Sequence, residues 1–97
     1  MQAVEAYGII RVKVKYGHTE LVLTNETAEI VDMWVDEDHR REGYGTTLVK
    51  RCIGIADAIG CKLVCLHVTD KNVAARNLYR SLGFEPKEIE THMELQL

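Results

Sequence analysis

Ile10, Val12, Val14 and Tyr16 alternate with Arg11, Lys13 and Lys15, so the stretch from Tyr7 to Tyr16 repeats every second residue, the period of a strand buried on one face. Gly17 and His18 then read as a turn, Leu21 to Leu23 as a short second strand, and Thr24-Asn25-Glu26 as another polar turn before Ala28 to Val35. The first third is therefore expected to be an antiparallel meander. After the polar loop from Asp36 to Glu42 the period changes. Leu48, Cys52, Ile55, Ala56 and Ile59 recur at helical spacing, which predicts a helix from Tyr44 to Ile59 that stops at Gly60. Lys62 to Val68 has the length of a strand, Asn72 or Val73 to Leu82 reads as a second helix ending at Gly83, and Ile89 to Leu97 as a last alternating strand. Strand, helix, strand, helix, strand implies a right-handed parallel crossover joined to the meander, a mixed α/β (α+β) sheet. The expected core includes Ile10, Val12, Leu21, Ile30, Val31, Leu48, Cys52, Ile55, Ile59, Leu66, Leu78 and Leu82.

Composition narrows the function classes. With 97 residues, 46% hydrophobic and 28% charged, the chain reads as one globular domain over residues 1–97, whose thin core favours support from a partner. The formal charge is −3, and Lys and Arg run together only at Arg40-Arg41 and Lys50-Arg51, which argues against a nucleic-acid surface. No apolar run reaches the ~20 residues of a membrane span, and Met1 to Ala6 lack a basic-then-apolar leader, so a soluble cytoplasmic protein is expected. Cys52, Cys61 and Cys65 are odd in number and form no Cys-x-x-Cys pair, so reduced thiols and no disulfide framework are expected. Cys61 and Cys65 would stand roughly 13 Å apart in an extended strand and the histidines are scattered, so no metal site is expected.

Between Val35 and the first helix lies Arg40-Arg41-Glu42-Gly43-Tyr44-Gly45-Thr46. A helix N-terminus offers unpaired N–H groups and partial positive charge, glycines let the backbone approach an anion, and two arginines add countercharge. The segment suits a phosphate; it also suits a plain tight turn. It is not a P-loop, since no Gly-Lys-Ser/Thr follows, nor a dinucleotide loop, since Leu48 stands where a third glycine belongs. On the second helix Asn72, Ala75 and Tyr79 share one face, a polar, small and phenolic stripe. The alternative is that Ala75, Leu78 and Leu82 pack on the sheet, with Tyr79 a half-buried core residue.

Together the two elements carry a resemblance. Arg40-x-x-Gly43-x-Gly45 after a strand, followed by Asn72-x-x-Ala75-x-x-Leu78-Tyr79-x-x-x-Gly83-Phe84, resembles the two acetyl-coenzyme-A motifs of the GNAT superfamily of N-acetyltransferases, over roughly Ala28 to Phe84. The resemblance implies that family's acyl-CoA N-acyltransferase fold, a meander followed by β-α-β-α-β, with acetyl-CoA as cofactor. Its pantetheine arm would pair with the backbone of Met33, Trp34 and Val35. Its pyrophosphate would sit on the loop formed by Arg40, Arg41, Gly43, Tyr44, Gly45 and Thr46, with Asn72, Ala75 and Tyr79 completing the cofactor side. Glu42 departs from the family pattern and must point to solvent if the backbone binds.

The implied reaction is attack of a neutral primary amine, most readily a protein or peptide lysine or N-terminus, on the acetyl thioester. Tyr79 matches the position that protonates the leaving sulfur, Asn72 would orient the pantetheine or a water, and an N–H near Val35 would polarise the carbonyl. Glu29 resembles the glutamate that serves as base in the histone-acetyltransferase branch. Asp32 is the second choice; strand alternation puts it on the opposite face from Glu29, so at most one of them faces the acceptor channel, and an amine arriving neutral would need no base. Asp36, Glu37, Asp38, Glu88, Glu90 and Glu94 would steer a cationic amine if they ring the acceptor mouth. The first strand begins almost at once, without the family's usual N-terminal helices, so the acceptor side should be open, to be completed by a large acceptor or a second subunit. Pairing of the last strand, His92 to Leu97, through an open edge offers one route to a homodimer. Two other readings stand beside the enzyme, a non-catalytic coenzyme-A-binding module and a small interaction domain with no ligand in its loop.

Overall fold

A computed structural model describes residues 8–87 and 91–97; Tyr7, expected in the first strand, and Ile89, expected to open the last, lie outside them. The meander is β1 (Gly8–Val14), β2 (Gly17–Thr24) and β3 (Thr27–Val35). A 3-10 turn at Glu37–His39, helix α1 (Tyr44–Ala58), β4 (Leu63–His67), α2 (Val73–Ser81), β5 (Glu85–Pro86) and β6 (His92–Gln96) follow. The strands form one six-stranded sheet in the order β1-β2-β3-β4-β6-β5. Only β3 and β4 are parallel neighbours.

Three expectations are corrected. The first turn is Lys15-Tyr16, not Gly17-His18, and β2 is already paired from Gly17. Its start reads as polar only because Thr19 is polar, yet Thr19 is fully buried and its hydroxyl donates to the Val31 carbonyl at 2.7 Å. The last strand is not an open edge. β6 lies between β4 and β5, and Met93 and Glu94 are paired on both sides, by the unanticipated two-residue β5. Ile59 is 37% exposed because the helix has ended before it. Val31, Leu78 and Leu82 are half-buried, whereas Phe84 and Met93, absent from the expected core, are 1% and 0% exposed.

Both helices cover the same face. Leu48, Val49, Cys52 and Ala56 of α1 meet Val12, Leu21, Ile30, Leu66, Phe84 and Met93, and Ala75, Tyr79 and Leu82 of α2 pack against that cluster. By strand alternation the opposite face carries Glu20, Glu29, His67, His92 and Glu94. α2 closes on a Schellman turn: Gly83, at φ +104, donates to the Arg80 carbonyl and Phe84 N–H donates to the Tyr79 carbonyl at 3.0 Å. The Phe84 ring then meets Tyr79 edge to face at 6.0 Å. The deepest aromatic residue of the core thus holds the phenol of α2 in place.

The β3–β4 ladder is short. It runs from Thr27↔Leu63 to Ile30↔Leu66 and ends there. Beyond it β3 carries a bulge: between the His18↔Trp34 and Glu20↔Val31 pairs, Thr19 alone stands opposite Asp32 and Met33, and Asp32 takes φ +52. The bulge bends β3 with β2, while β4 continues with the other half of the sheet, where Val68 N–H donates to the Thr91 carbonyl. A split opens between the two parallel strands. Thr19→Val removes the hydroxyl that holds the bulge and should lower stability by about 1 kcal/mol. In a thermal melt this should reduce the midpoint by roughly 4–8 °C, without loss of the folded baseline.

Candidate active site

Two cavities meet at the split. One, of about 380 Å³, is lined by Met33, Trp34 and Val35 of β3, by Arg40, Arg41, Gly43, Tyr44, Gly45 and Thr46, and by Leu78. The other, of about 430 Å³, is lined from Glu29 to Met33 of β3, from Leu66 to Thr69 after β4, and by Asn72, Ala75 and Tyr79. Met33 belongs to both, so the two cavities adjoin at that residue. Of the cofactor residues expected from sequence, nine line the first cavity, and Asn72, Ala75 and Tyr79 join Met33 in the second.

The first cavity is built on the start of α1. Its N-cap, Gly43, makes no side-chain capping bond, so the first N–H groups of the helix are left for a ligand. Gly43 has φ +90, which strains any L side chain. A ring stack fixes the approach: His39 lies on Tyr16 with centroids 3.5 Å apart, and Tyr44 meets Tyr16 edge to face at 5.4 Å. Glu42 turns to His39, 3.3 Å from its Nδ1, and does not line the cavity, so its charge is held aside from the anion site. Arg40 does more than add charge, since its Nε donates to the Val35 carbonyl at 3.1 Å.

That bond also shows which way the β3 backbone faces. Asp36 N–H is spent on the Tyr16 carbonyl, so by the alternation of an antiparallel ladder Trp34 turns its backbone groups to His18. Val35 turns its own to the split. Of the segment Met33 to Val35, Val35 is therefore the residue whose N–H points into the gap, and Trp34 contributes its half-exposed ring, stacked on His18 at 5.5 Å. These features fit a phosphate-bearing, amide-rich ligand such as coenzyme A.

In the second cavity Tyr79 stands on the helix side and Glu29 on the uncovered face, the two being joined only through the split. Burial raises the Tyr79 phenol above its ordinary pKa, so it stays protonated around neutrality. Asp32 lines the same cavity as Glu29, because the bulge breaks the alternation that would have parted them. Asn72 has an occupation that sequence alone did not reveal. Its side-chain oxygen caps α2, accepting from Ala75 N–H at 3.1 Å, so it holds the helix carrying Tyr79.

His67 was missed. It lines the cavity with Nδ1 3.3 Å from Glu29 Oε2, and its Nε2 is 3.3 Å from His92 Nδ1. A histidine ending a strand gave no signal until the β3–β4 and β4–β6 registers placed Glu29, His67 and His92 side by side. Asp36, Glu37 and Asp38 do not ring the acceptor mouth; they lie in the 3-10 turn, where Asp36 caps Asp38 N–H, and Glu88 and Glu90 lie outside the described residues. Cys52, Cys61 and Cys65 are buried and separate, and burial pushes the Cys52 and Cys65 thiols up to about 11. No group of metal-ligating side chains occurs and no helix is long and apolar enough to cross a membrane, among the described residues.

Comparison with known proteins gives the family and the fold. The sequence pattern of the Acetyltransferase (GNAT) family matches residues 5–84. An uncharacterised N-acetyltransferase of Methanocaldococcus jannaschii is 42% identical over 64 residues, 66% of this chain and 28% of the relative. The ribosomal protein bS18-alanine N-acetyltransferase of Escherichia coli K12 is 35% identical over 74 residues, 76% of this chain and 49% of the relative. The crystal structure of the Escherichia coli ribosomal-protein-S18-alanine N-acetyltransferase superposes with a TM-score of 0.78, over 91% of this chain and 68% of that one, at 23% identity. An acetyltransferase of Bacillus subtilis crystallised in complex with CoA superposes with a TM-score of 0.77 over 84% of this chain and 69% of that one, at 22% identity. The chain spans from about a quarter to a half of the length of these curated relatives.

Two measurements check the site in the free protein. Gly43→Ala, forced into a left-handed conformation, should cost about 1 kcal/mol. Gly45→Ala, helical and with its added Cβ first meeting Met33 Sδ at 4.0 Å, should leave the melting midpoint nearly unchanged. Cys52, Cys65 and Tyr79 all have folded pKa values above their unfolded ones. The unfolded state therefore binds fewer protons at alkaline pH, and stability should be level below about pH 9 and fall as pH rises toward 11. Denaturant melts across that window read the slope, and Tyr79→Phe should make its upper part shallower.

Proposed function

The chain belongs to the GNAT family of acetyltransferases, and we propose that it transfers an acetyl group from acetyl-CoA to a primary amine of a protein or peptide. The observation that carries this reading is the pair of cavities that adjoin at Met33 where the sheet splits. One has an uncapped helix start and the free backbone of Val35, and the other is lined by both Tyr79 and Glu29. Acetyl-CoA, when bound, supplies an acetyl group activated as a thioester. The N–H groups opening α1, together with Arg41, hold its phosphates, and Arg40 fixes the end of β3 beside them. Val35 N–H donates to the carbonyl that gains negative charge. Glu29 takes a proton from the amine, and the Tyr79 hydroxyl gives one to the departing sulfur. A phenol with a raised pKa suits that role, because it is reliably protonated yet a thiolate is basic enough to take its proton.

A peptide or protein acceptor is favoured because Glu29 and His67 open onto the sheet face that no described helix covers. A polypeptide can cover that face itself. The relative named for the alanine of ribosomal protein bS18 makes an N-terminal α-amine the first acceptor to test, with a lysine side chain second.

Excess acetyl-CoA should raise the thermal midpoint, since a ligand at 100 times its Kd adds about 2.7 kcal/mol. Absence of any shift would remove the cofactor assignment. Tyr79→Phe should retain that shift while losing roughly 10²-fold or more in kcat with an alanine-starting peptide, and Glu29→Gln should lose a similar factor. A binding module would show no turnover to lose.

A further inference from the structure

Four side chains on the uncovered face form a continuous line. Glu29 Oε2 lies 3.3 Å from His67 Nδ1, His67 Nε2 lies 3.3 Å from His92 Nδ1, and His92 Nε2 lies 2.8 Å from Glu94 Oε2. Each sits on a different strand position fixed by register. His67 is the direct partner of His92, and Glu29 and Glu94 both pair with Cys65. The line crosses a boundary, for Glu29 and His67 line the cavity beside Tyr79, whereas His92 and Glu94 do not. In the free chain the His67 and Glu29 side chains are the more exposed pair, at 53% and 38% against 21% and 22% for His92 and Glu94, so His92 and Glu94 become the outlet to water only when an acceptor seated in the cavity covers Glu29 and His67.

Proton accounting gives the line a purpose. Of the three contacts only His67–His92 and His92–Glu94 are hydrogen bonds in the free chain, while Glu29 faces His67 Nδ1 as an ion-pair contact; ionised carboxylates only accept, so turning that contact into a hydrogen bond as well needs a third ring proton. Two neutral rings carry only two. The line therefore has room for one additional proton, held as a positive charge between two negative ones. We propose that His67 and His92 form a proton relay that accepts the amine's proton from Glu29 and delivers it through Glu94 to water. The relay rests on the reading of Glu29 as the base.

The hops balance. In the neutral pair His67 Nε2–H donates to His92 Nδ1 and His92 Nε2–H donates to Glu94, leaving His67 Nδ1 as the vacant position facing Glu29. A proton on Glu29 passes to that nitrogen. His67 then gives its Nε2 proton to His92 Nδ1, and His92 gives its Nε2 proton to Glu94 and water. Each hop breaks one O–H or N–H bond and forms another, and exchange with water restores the starting tautomers. Cys65 lies among these groups but stays out of the exchange. Its thiol is pushed up to about 11, first by burial and then by Glu29 and Glu94, so it is protonated throughout the neutral range. Other charged groups on this side are Glu85, the β5 partner of Glu94, Lys87, 4.0 Å from Glu94, Asp32 in the cavity wall, and Glu20, Arg11 and Lys13 farther along the sheet.

The full chain labelled with ¹⁵N-histidine tests the relay without turnover. On acidification the ring nitrogens of His67 and His92 should respond together to the first proton taken up, and His92→Gln should change the response of His67. Independent responses, or a His67 unaffected by His92→Gln, would overturn the relay whatever the activity. Kinetics with acetyl-CoA and an alanine-starting peptide supply the second arm. Glutamine can hydrogen-bond to His67 but cannot pass a proton on, so His92→Gln should lower kcat about tenfold, less than the loss from Glu29→Gln, and rising imidazole buffer should restore it. Parent-level kcat in His92→Gln beside an impaired Glu29→Gln would sink the relay alone. Parent-level activity in Glu29→Gln would sink the assignment of the base and the relay with it.

Discussion

Two parallel strands can share a ladder only while they advance in step. In this sheet they do so for four residue pairs, Thr27 to Ile30 against Leu63 to Leu66, after which an extra residue at Asp32 turns β3 aside. The buried hydroxyl of Thr19 holds that extra residue by its bond to the Val31 carbonyl. Everything functional is set by the parting. It frees the backbone of Val35, opens a passage between the two sheet faces, and lets a helix-side phenol and a carboxylate from the other face approach the same point. An unbroken parallel ladder would have sealed Glu29 from Tyr79.

The helices then supply what the gap needs, each through one of its ends. α1 begins without a cap, on a loop fixed by the stack of Tyr16 and His39, so its positive end is both available and rigidly placed. α2 is secured at both ends, by the Asn72 side chain at its start and by the Gly83 turn that drops Phe84 into the core at its finish. A ligand can thus meet an electrostatically open helix on one side and a firmly held phenol on the other, with Glu42, the negative side chain next to the helix start, drawn off by His39.

Much of this was legible in the sequence because the relevant signals are local. Alternation in β1, helical spacing from Leu48 to Ala56, glycines at positions 60 and 83 and the loop Arg40 to Thr46 each depend on a few neighbouring residues, and the elements occur where those signals put them. What escaped depends on partners far along the chain. Thr19 looks like turn material until the Val31 carbonyl comes within reach of its hydroxyl. Phe84 and Met93 look peripheral until β6 is inserted between β4 and β5. The bulge at Asp32 carries no local signal, and without it strand alternation places Asp32 and Glu29 on opposite faces. His67 and His92 are 25 residues apart and acquire meaning only through register.

The four-pair ladder is also a narrow mechanical waist. On one side β1, β2 and β3 are joined by two-residue hairpins, contacts that close early and cheaply; on the other, β4, β6 and β5 need longer loops to come together. Apart from those four pairs the halves are bridged chiefly by α1, which touches β1, β2, β3 and β4. Such a molecule need not open all at once. Amide hydrogens of β4 and β6 can exchange in excursions that leave the meander intact, which would divide the fold into two cooperative units whose boundary is the gap between β3 and β4. A ligand lying across that boundary would fasten the units to one another, and its binding free energy would appear as cooperativity as well as affinity.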